Sequence, residues 1–419
     1  MPDSARKISG GMDFSCAKRR TQNDIFAKRL KNKTLSEKTK LYTYSGKTSI
    51  QSVFGENIFY RDLNPVSSQY LSFEDIRKRL NIRQKFPPRK ASRDYASVIL
   101  EQVKLRASTE LRQILFFGDT PGNDGSVVRN LETLSKLPVF GFIGKEAIGE
   151  EKMLSADPPI FLANRWELVS EFLAQIQQFG FRQEVKTAVL FDMDKTLIGA
   201  RGRNDHVIDD ARMDGVKKLI KETLKNEWQE DHFLLIYKTF NEPAYHFLTE
   251  DNQDYLAFVC LMVLADVWSF EELVDQLIRR KITSFQEFLT RTASRLQKRP
   301  ISAVAPYFEE VFLSTVKGDP TPFKSFRRME YLATIERIDC VQSEDPAEIL
   351  RSEITLTQEI LDLVSFLKKK QFSPIVCISD KPPESTFPSD ELKQQGYLPL
   401  HQMPMKIVGK SLTSQLYAH

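Results

Sequence analysis

The chemically most suggestive residues of the chain are two carboxylates two positions apart at the end of an apolar run, Ala188-Val-Leu-Phe-Asp192-Met-Asp194-Lys-Thr196-Leu. A carboxylate so placed can attack phosphorus and form an aspartyl-phosphate, while a second one nearby protonates the leaving oxygen and later activates water. Thr196 adds a hydroxyl to the same loop. A second acidic loop, Gly118-Asp119-Thr-Pro-Gly-Asn123-Asp124-Gly125, follows the run Gln113-Ile-Leu-Phe-Phe117. Mg²⁺ takes oxygen ligands, keeps several waters and is commonly held by one or two carboxylates plus substrate phosphate, a description that Asp192, Asp119 and Asp124 meet together. A third apolar run, Pro374-Ile-Val-Cys-Ile378, leads into Ser379-Asp380-Lys381-Pro382, where Ser379 can donate a hydrogen bond to a phosphoryl oxygen. Singly, a Gly-Asp loop is a capped turn and a serine a turn former; their company with Asp192 and Asp194 is what argues for phosphate chemistry.

Positioning these groups requires strand ends. Parallel strands are buried on both faces, so they read as continuous apolar runs, and ligands of open α/β sheets sit outside their carboxyl ends. The three runs therefore predict a doubly wound, Rossmann-like α/β sheet with Asp192 and Asp194 at the mouth of a site. The intervening segments carry helical spacing: Val127, Val128, Leu131 and Leu134 after Asn123, and Ile360, Leu363, Val364 and Leu367 after a capping box at Thr355-Leu-Thr-Gln358. Further strands are expected at Pro138-Val-Phe-Gly-Phe-Ile143 and around Ala156-Asp157 and Pro159-Ile-Phe-Leu162, followed by a helix from Arg165 to Phe179 capped by Asn164 and ended by Gly180.

Composition bounds the molecule without naming a substrate. The 419 residues suggest more than one domain, and 41% hydrophobic with 28% charged residues is ordinary for a globular protein. Cys16, Cys260, Cys340 and Cys377 have no metal-type spacing and read as reduced core thiols of a cytosolic protein. No run of 18 or more apolar residues and no apolar signal segment are present, so the expectation is a cytoplasmic protein without membrane association. The net charge of +4 is unevenly spread: residues 1 to 40 hold eleven Lys or Arg against four acidic residues, leaving the remainder at −3. Residues 1–44 read as a basic, solvated arm. Its clusters Lys18-Arg19-Arg20 and Lys28-Arg29 suit anionic polymers, but no interleaved aromatics support base stacking, so nucleic acid is not the expected partner.

The three loops together resemble the signature of the haloacid dehalogenase-like hydrolase superfamily: an Asp-x-Asp-x-Thr strand end, a Ser or Thr strand end, a lysine and an acidic Gly-Asp loop. The resemblance covers roughly residues 85 to 410. Members normally run nucleophile, hydroxyl, lysine, acidic loop, whereas here the acidic loop at Asp119 precedes Asp192, an order that is circularly permuted. Permutation is tolerated where old termini can join and new ones fall in an exposed connection. The resemblance implies Asp192 as nucleophile and metal ligand, Asp194 as general acid/base whose main-chain carbonyl also binds metal, Asp119 as acidic-loop ligand, and Asp124 as support for metal or lysine. Ser379 and a lysine would hold the transferring phosphoryl group. Lys90, in Phe86-Pro-Pro-Arg-Lys90-Ala-Ser92 ahead of a helix carrying Tyr95, Val98, Ile99 and Val103, fits best, with Lys85, Arg89, Lys406 and Lys410 as alternatives.

Between Asp194 and Ser379 lies far more chain than a crossover needs. By position it is a cap, expected over 201–349 and mostly helical, with helices near 213–226, 254–266, 270–280 and 283–297 and with Pro300, Pro306 and Pro320 breaking the later part. The segment Gly199-Ala-Arg201-Gly-Arg203-Asn-Asp-His206 resembles the family's flap. Arg201, Arg203 and His206 are candidates for recognising an anionic or hydroxylated leaving group, although a solvated basic loop has the same composition. The cluster from Thr249 to Asp254 offers similar groups or a helix amino-terminal cap. The core is expected over 45–200 plus 350–419. The expected activity is Mg²⁺-dependent hydrolysis of a small phosphorylated metabolite, with a phosphomutase or an inactive phosphate-binding scaffold as the alternatives.

Overall fold

The computed structural model describes residues 41–67, 69–183 and 186–418. The basic residues of 1–40, with Cys16, lie outside them, and the expected boundary at 44 cuts a strand, since Thr43–Thr48 is extended. The strands are β1 (Thr43–Thr48), β2 (Ile58–Phe59), β3 (Gln113–Gly118), β4 (Val139–Gly144), β5 (Leu154–Asp157), β6 (Ile160–Ala163), β7 (Thr187–Asp192), β8 (Leu356–Thr357), β9 (Ile375–Ile378) and β10 (Met405–Gly409). The helices used below are α1 (Arg93–Arg106), α2 (Asn123–Ser135), α3 (His206–Leu224), α4 (Gln253–Leu264), α5 (Lys324–Ile335) and α6 (Gln358–Lys369).

The molecule is mixed α/β, and its main sheet has seven strands in the order β2-β9-β7-β3-β4-β6-β5. All neighbours are parallel except the β5–β6 hairpin. Alternation along the central strands divides their side chains between two cores. Leu115, Phe117, Val189, Phe191 and Cys377 face one way, where α6 supplies Ile360, Leu363, Val364 and Leu367. Ile114, Phe116, Ala188, Leu190 and Val376 face the other, against Val98, Ile99 and Val103 of α1 and Val127, Val128 and Leu131 of α2. Both faces are covered, which is why these strands are apolar throughout. Phe117 and Phe191, paired in register, stack with ring centroids 4.7 Å apart and lock β3 to β7. A second sheet has three strands, β1-β10-β8.

Residues between β7 and β8 build a separate helical core from Val216 to Phe326. It is narrower than the expected 201–349, because the first turn of α3 (Val207, Ile208) packs with the sheet, as does Ile338. The observed helices His206–Leu224, Gln253–Leu264, Phe270–Ile278 and Phe285–Lys298 overlap those expected, while Glu230–Phe240, Ala305–Val316 and Lys324–Ile335 were not anticipated. Pro306 does not break this region; it occupies the first turn of Ala305–Val316, where a missing N–H costs nothing. Two expected caps also differ. Asn164 accepts from Met153 N at 2.8 Å and donates to Glu151 O, so it ties the β5–β6 hairpin instead of capping a helix. The Thr355–Gln358 box is not formed, because both threonine side chains are used elsewhere, as described below. Cys260 and Cys377 are buried free thiols, whereas Cys340 is exposed and not a core residue. Among the described residues no helix is long and apolar enough to cross a membrane.

Candidate functional site

Register brings the three loops together. Asp192 is paired with Ile378 and Phe117 with Phe191, so the residues that follow, Ser379 on one side and Gly118-Asp119 on the other, leave the sheet beside Met193 and Asp194. The loop after β7 is wound back on itself: Leu197 N and Ile198 N both donate to Met193 O, at 3.0 and 2.9 Å, and Lys195 adopts a left-handed backbone with φ of 61°. Thr357 Oγ1 donates to Thr196 O at 2.7 Å, and Asn204 Nδ2 donates to Thr355 Oγ1 at 3.0 Å, which is how the two threonines are spent. Thr196 itself is fully buried, and its Oγ1 has no hydrogen-bond partner among the described residues.

Lys90 enters from the segment before α1. Arg61 donates to Pro88 O at 2.5 Å and to Pro87 O at 3.2 Å, fixing the approach, and Ser92 caps α1 by accepting from Tyr95 N at 3.2 Å. The Lys90 ammonium, 7% exposed, contacts Asp192 Oδ1 and lies 2.6 Å from Asp124 Oδ1. The other expected lysines are elsewhere: Lys85 and Arg89 are exposed, with Arg89 paired to Glu250; Lys406 is buried against Glu353, 2.8 Å away; and Lys410 pairs with Glu167 at 2.5 Å.

Asp124 is the keystone of the acidic loop. Its Oδ2 accepts from Asp119 N and Thr120 N, both at 2.9 Å, and from Thr120 Oγ1 at 3.0 Å, while its Oδ1 faces Lys90. A Cβ on Gly118 would lie 2.6 Å from this carboxylate, so the glycine at that strand end is what lets Asp124 turn in. The Asp119 carboxylate is contacted by the Arg201 guanidinium through Nε.

Among the described residues, Asp119, Asp124 and Asp192 form a buried group whose ligand oxygens all lie within 4.8 Å of one another. Three carboxylates share two cations, Lys90 and Arg201, and the excess of negative charge shows in their proton affinities. Burial, reinforced by Asp124, pushes Asp119 up to about 6 against the pull of Arg201. Burial also raises Asp192 well above the carboxylate range, further than Lys90 brings it down. Asp124 stays low, because Lys90 and the loop N–H groups outweigh its burial, and Lys90, with two carboxylates, holds its proton despite burial. An all-oxygen group of this kind could hold a metal ion. The Asp194 carboxylate is not one of the three.

Asp194 faces the Ser379 loop instead. Ser379 Oγ donates to Asp194 Oδ2 at 2.7 Å and accepts from Lys381 N at 3.1 Å, so its single proton is directed at Asp194 and not toward an open phosphoryl position. Lys381, which the sequence reading passed over although it stands two residues beyond Ser379, lies 3.7 Å from Asp194 Oδ1 and 3.3 Å from Glu330 Oε1 on α5. Glu330 is fully buried and also meets Arg327 at 2.7 Å and Arg212 at 3.5 Å. These three cations outweigh its burial and hold it well below the usual glutamate range.

The flap arginines part ways. Arg203, offered as a substrate contact, is buried between Glu359 (2.7 Å) and Glu146 (2.8 Å) and stacks on Tyr42, its cation 4.3 Å from the ring centroid. Both of its terminal nitrogens are consumed, so it anchors the loop. Gly202, with φ of 78°, passes so close to Glu146 that a Cβ would sit 2.1 Å from the Glu146 carbonyl oxygen. Arg201 alone reaches the carboxylates. His206 is exposed at the start of α3. In the Thr249–Asp254 cluster, Asn252 caps α4 by accepting from Asp254 N at 3.0 Å, and Asp254 is buried against Arg327, so this cluster is structural.

Comparisons with family models, with curated proteins and with solved structures gave no match to the chain.

Proposed function

We propose that the chain is a Mg²⁺-dependent phosphohydrolase acting on a small phosphomonoester through an aspartyl-phosphate, with a circularly permuted haloacid dehalogenase-like core and a helical cap. The observation that carries this reading is the convergence of Lys90, Asp119, Asp124 and Asp192 at the carboxyl ends of adjacent strands, Lys90 and Asp192 being 102 residues apart in sequence. The strand order gives further support. The loops bearing Ser379, Asp192 and Asp119 follow β9, β7 and β3, which are neighbours in the sheet although the acidic loop comes first in the chain.

In this mechanism an Asp192 oxygen attacks phosphorus, the bond from phosphorus to the leaving oxygen breaks, and a protonated Asp194 delivers its proton to that oxygen. Asp194, now a carboxylate, then takes a proton from water as the water oxygen attacks phosphorus. The bond to Asp192 breaks, releasing inorganic phosphate and restoring both carboxyl groups. Lys90 keeps the nucleophile oriented and offsets phosphoryl charge, and Ser379 orients Asp194 through its hydrogen bond. A divalent cation held by Asp119, Asp192 and the Asp124 side of the cluster would supply electrostatic relief between an anionic nucleophile and an anionic substrate.

A phosphomutase uses the same carboxylates, and the 3% exposure of Asp192 favours keeping it as the second reading, since a mutase must deny water to the phosphoenzyme. The test is phosphate release from a panel of sugar phosphates, phosphorylated acids and nucleotides, with and without Mg²⁺, by the native chain and by Asp192→Asn. Hydrolysis that needs both the metal and Asp192 is the expected result. Isomerisation of a phosphosugar without phosphate release would transfer the assignment to a mutase, and inactivity on every compound would refute both.

A further inference from the structure

Arg201 and Arg203 are two residues apart on one loop and are held in opposite ways. The backbone around Arg201 is fixed: its N–H donates to Lys195 O at 2.7 Å, its carbonyl accepts from Glu146 N at 2.8 Å and from Trp166 Nε1 at 3.2 Å, and the next residue is the tightly packed Gly202. Its side chain is not fixed to the same degree. It is 29% exposed, against 2% for Arg203, and among the described residues its guanidinium makes a single polar contact, through Nε to Asp119 Oδ2. That oxygen belongs to the carboxylate group suited to a cation. A cation already on one of these carboxylates repels an arriving divalent ion, and of the two such cations Arg201 is the more exposed, 29% against 7% for Lys90, so it is the one free to move away.

Resting on the metal-site reading above, we infer that Arg201 is an exchangeable counter-ion: it neutralises Asp119 when no metal is bound, is displaced when a divalent cation takes that carboxylate, and then turns its freed guanidinium to a phosphate oxygen of the substrate. The backbone stays in place and only the side chain turns about its own bonds. Arginine suits both partners, since its planar fork matches carboxylate and phosphate alike. Two consequences follow by linkage. The displaced pairing with Asp119 opposes metal binding, and phosphate, by giving Arg201 a second partner, favours it; metal must strengthen phosphate binding by the same factor.

The experiment needs no turnover. Mn²⁺ binding is titrated by electron paramagnetic resonance in the native chain, Arg201→Ala, Arg201→Gln and Asp119→Asn, each with and without inorganic phosphate. In the native chain, phosphate should tighten Mn²⁺ binding by roughly fivefold or more, within the usual range of coupling between sites. In either Arg201 variant Mn²⁺ alone should bind several-fold tighter than in the native chain, and the effect of phosphate should largely vanish. Asp119→Asn should weaken Mn²⁺ binding. If the native chain binds Mn²⁺ and Asp119→Asn weakens it, yet the Arg201 variants bind no tighter or phosphate has no effect on the native chain, the exchange is refuted while the metal site stands. No Mn²⁺ binding by the native chain overturns both readings. The native-chain coupling stands as a test even if an Arg201 variant fails to fold.

Discussion

The Lys381 ammonium, two residues beyond Ser379, lies 3.3 Å from the Glu330 carboxylate on α5, and both side chains are buried. The pair joins α5 to the loop that orients Asp194, as does Lys324 with Glu384 at 3.4 Å. Glu330 also serves Arg327 and Arg212, so three cations share one carboxylate.

Removing that charge leaves Arg327 with Asp254, Lys381 with Asp194 and Arg212 with Asp209, and takes away the one buried anion the three cations share. Glu330→Gln is expected to lower unfolding free energy by about 3 kcal/mol or more, in the range seen when one partner of a buried pair is deleted. Urea unfolding of native and variant chains checks this. A change below about 1 kcal/mol would mean that the cluster is hydrated and loosely held.

Stability should also depend on pH through His401. Burial pushes its imidazole down from 6.5 to about 4, with Nδ1 3.1 Å from the Tyr60 hydroxyl and Nε2 buried without a hydrogen bond. Because the folded value is depressed, the unfolded chain takes up a proton first as pH falls, so this contribution is fully present above 6.5 and is lost toward 4. Asp119, raised from 3.8 to about 6, acts with the opposite sign: it gives up stability as pH rises through that window. The comparison that isolates the histidine is therefore with His401→Gln. Between pH 6.5 and 4 the native chain should lose stability relative to this variant, with a slope approaching roughly 1.4 kcal/mol per pH unit. Parallel profiles for the two chains would refute it.

Gly118→Ala places a methyl 2.6 Å from the Asp124 carboxylate. The carboxylate must shift, and with it the hydrogen bonds to Asp119 N and Thr120 N and the contact with Lys90. Overpacking of this kind costs about 1–3 kcal/mol. A thermal melt should register that loss, and phosphate release should fall with it. An alanine chain as stable as the native one would show that the strand end yields easily.

Much of the sheet was legible because strands buried on both faces leave an unbroken apolar run, and β3, β7 and β9 each lead into a loop of the candidate site. Lys90 stood out through its place ahead of a helix in a resembling pattern, not through any local property, since a lysine's burial cannot be read from its neighbours. Lys381 and Glu330 were missed for a related reason. Glu330 sits in Lys324–Ile335, a helix with buried Arg327 and Glu330 on its packed side, so charge stands where periodicity looks for hydrocarbon. Arg203 and the threonines at 355 and 357 were given the wrong tasks because their partners, Glu146, Glu359, Asn204 and the Thr196 carbonyl, come from distant segments. Polar residues declare their type in a sequence but not their company.

Helix α3 runs for 19 residues, with Val207 and Ile208 in the sheet core and Val216, Leu219, Ile220 and Leu224 in the helical one. Such a shaft passes through both bodies without a linker between them. Its amides cannot open in the middle without loosening one core or the other, so neither unit can fray alone along this path. The expectation is that the two cores melt together wherever the shaft holds, because opening it in the middle loosens both.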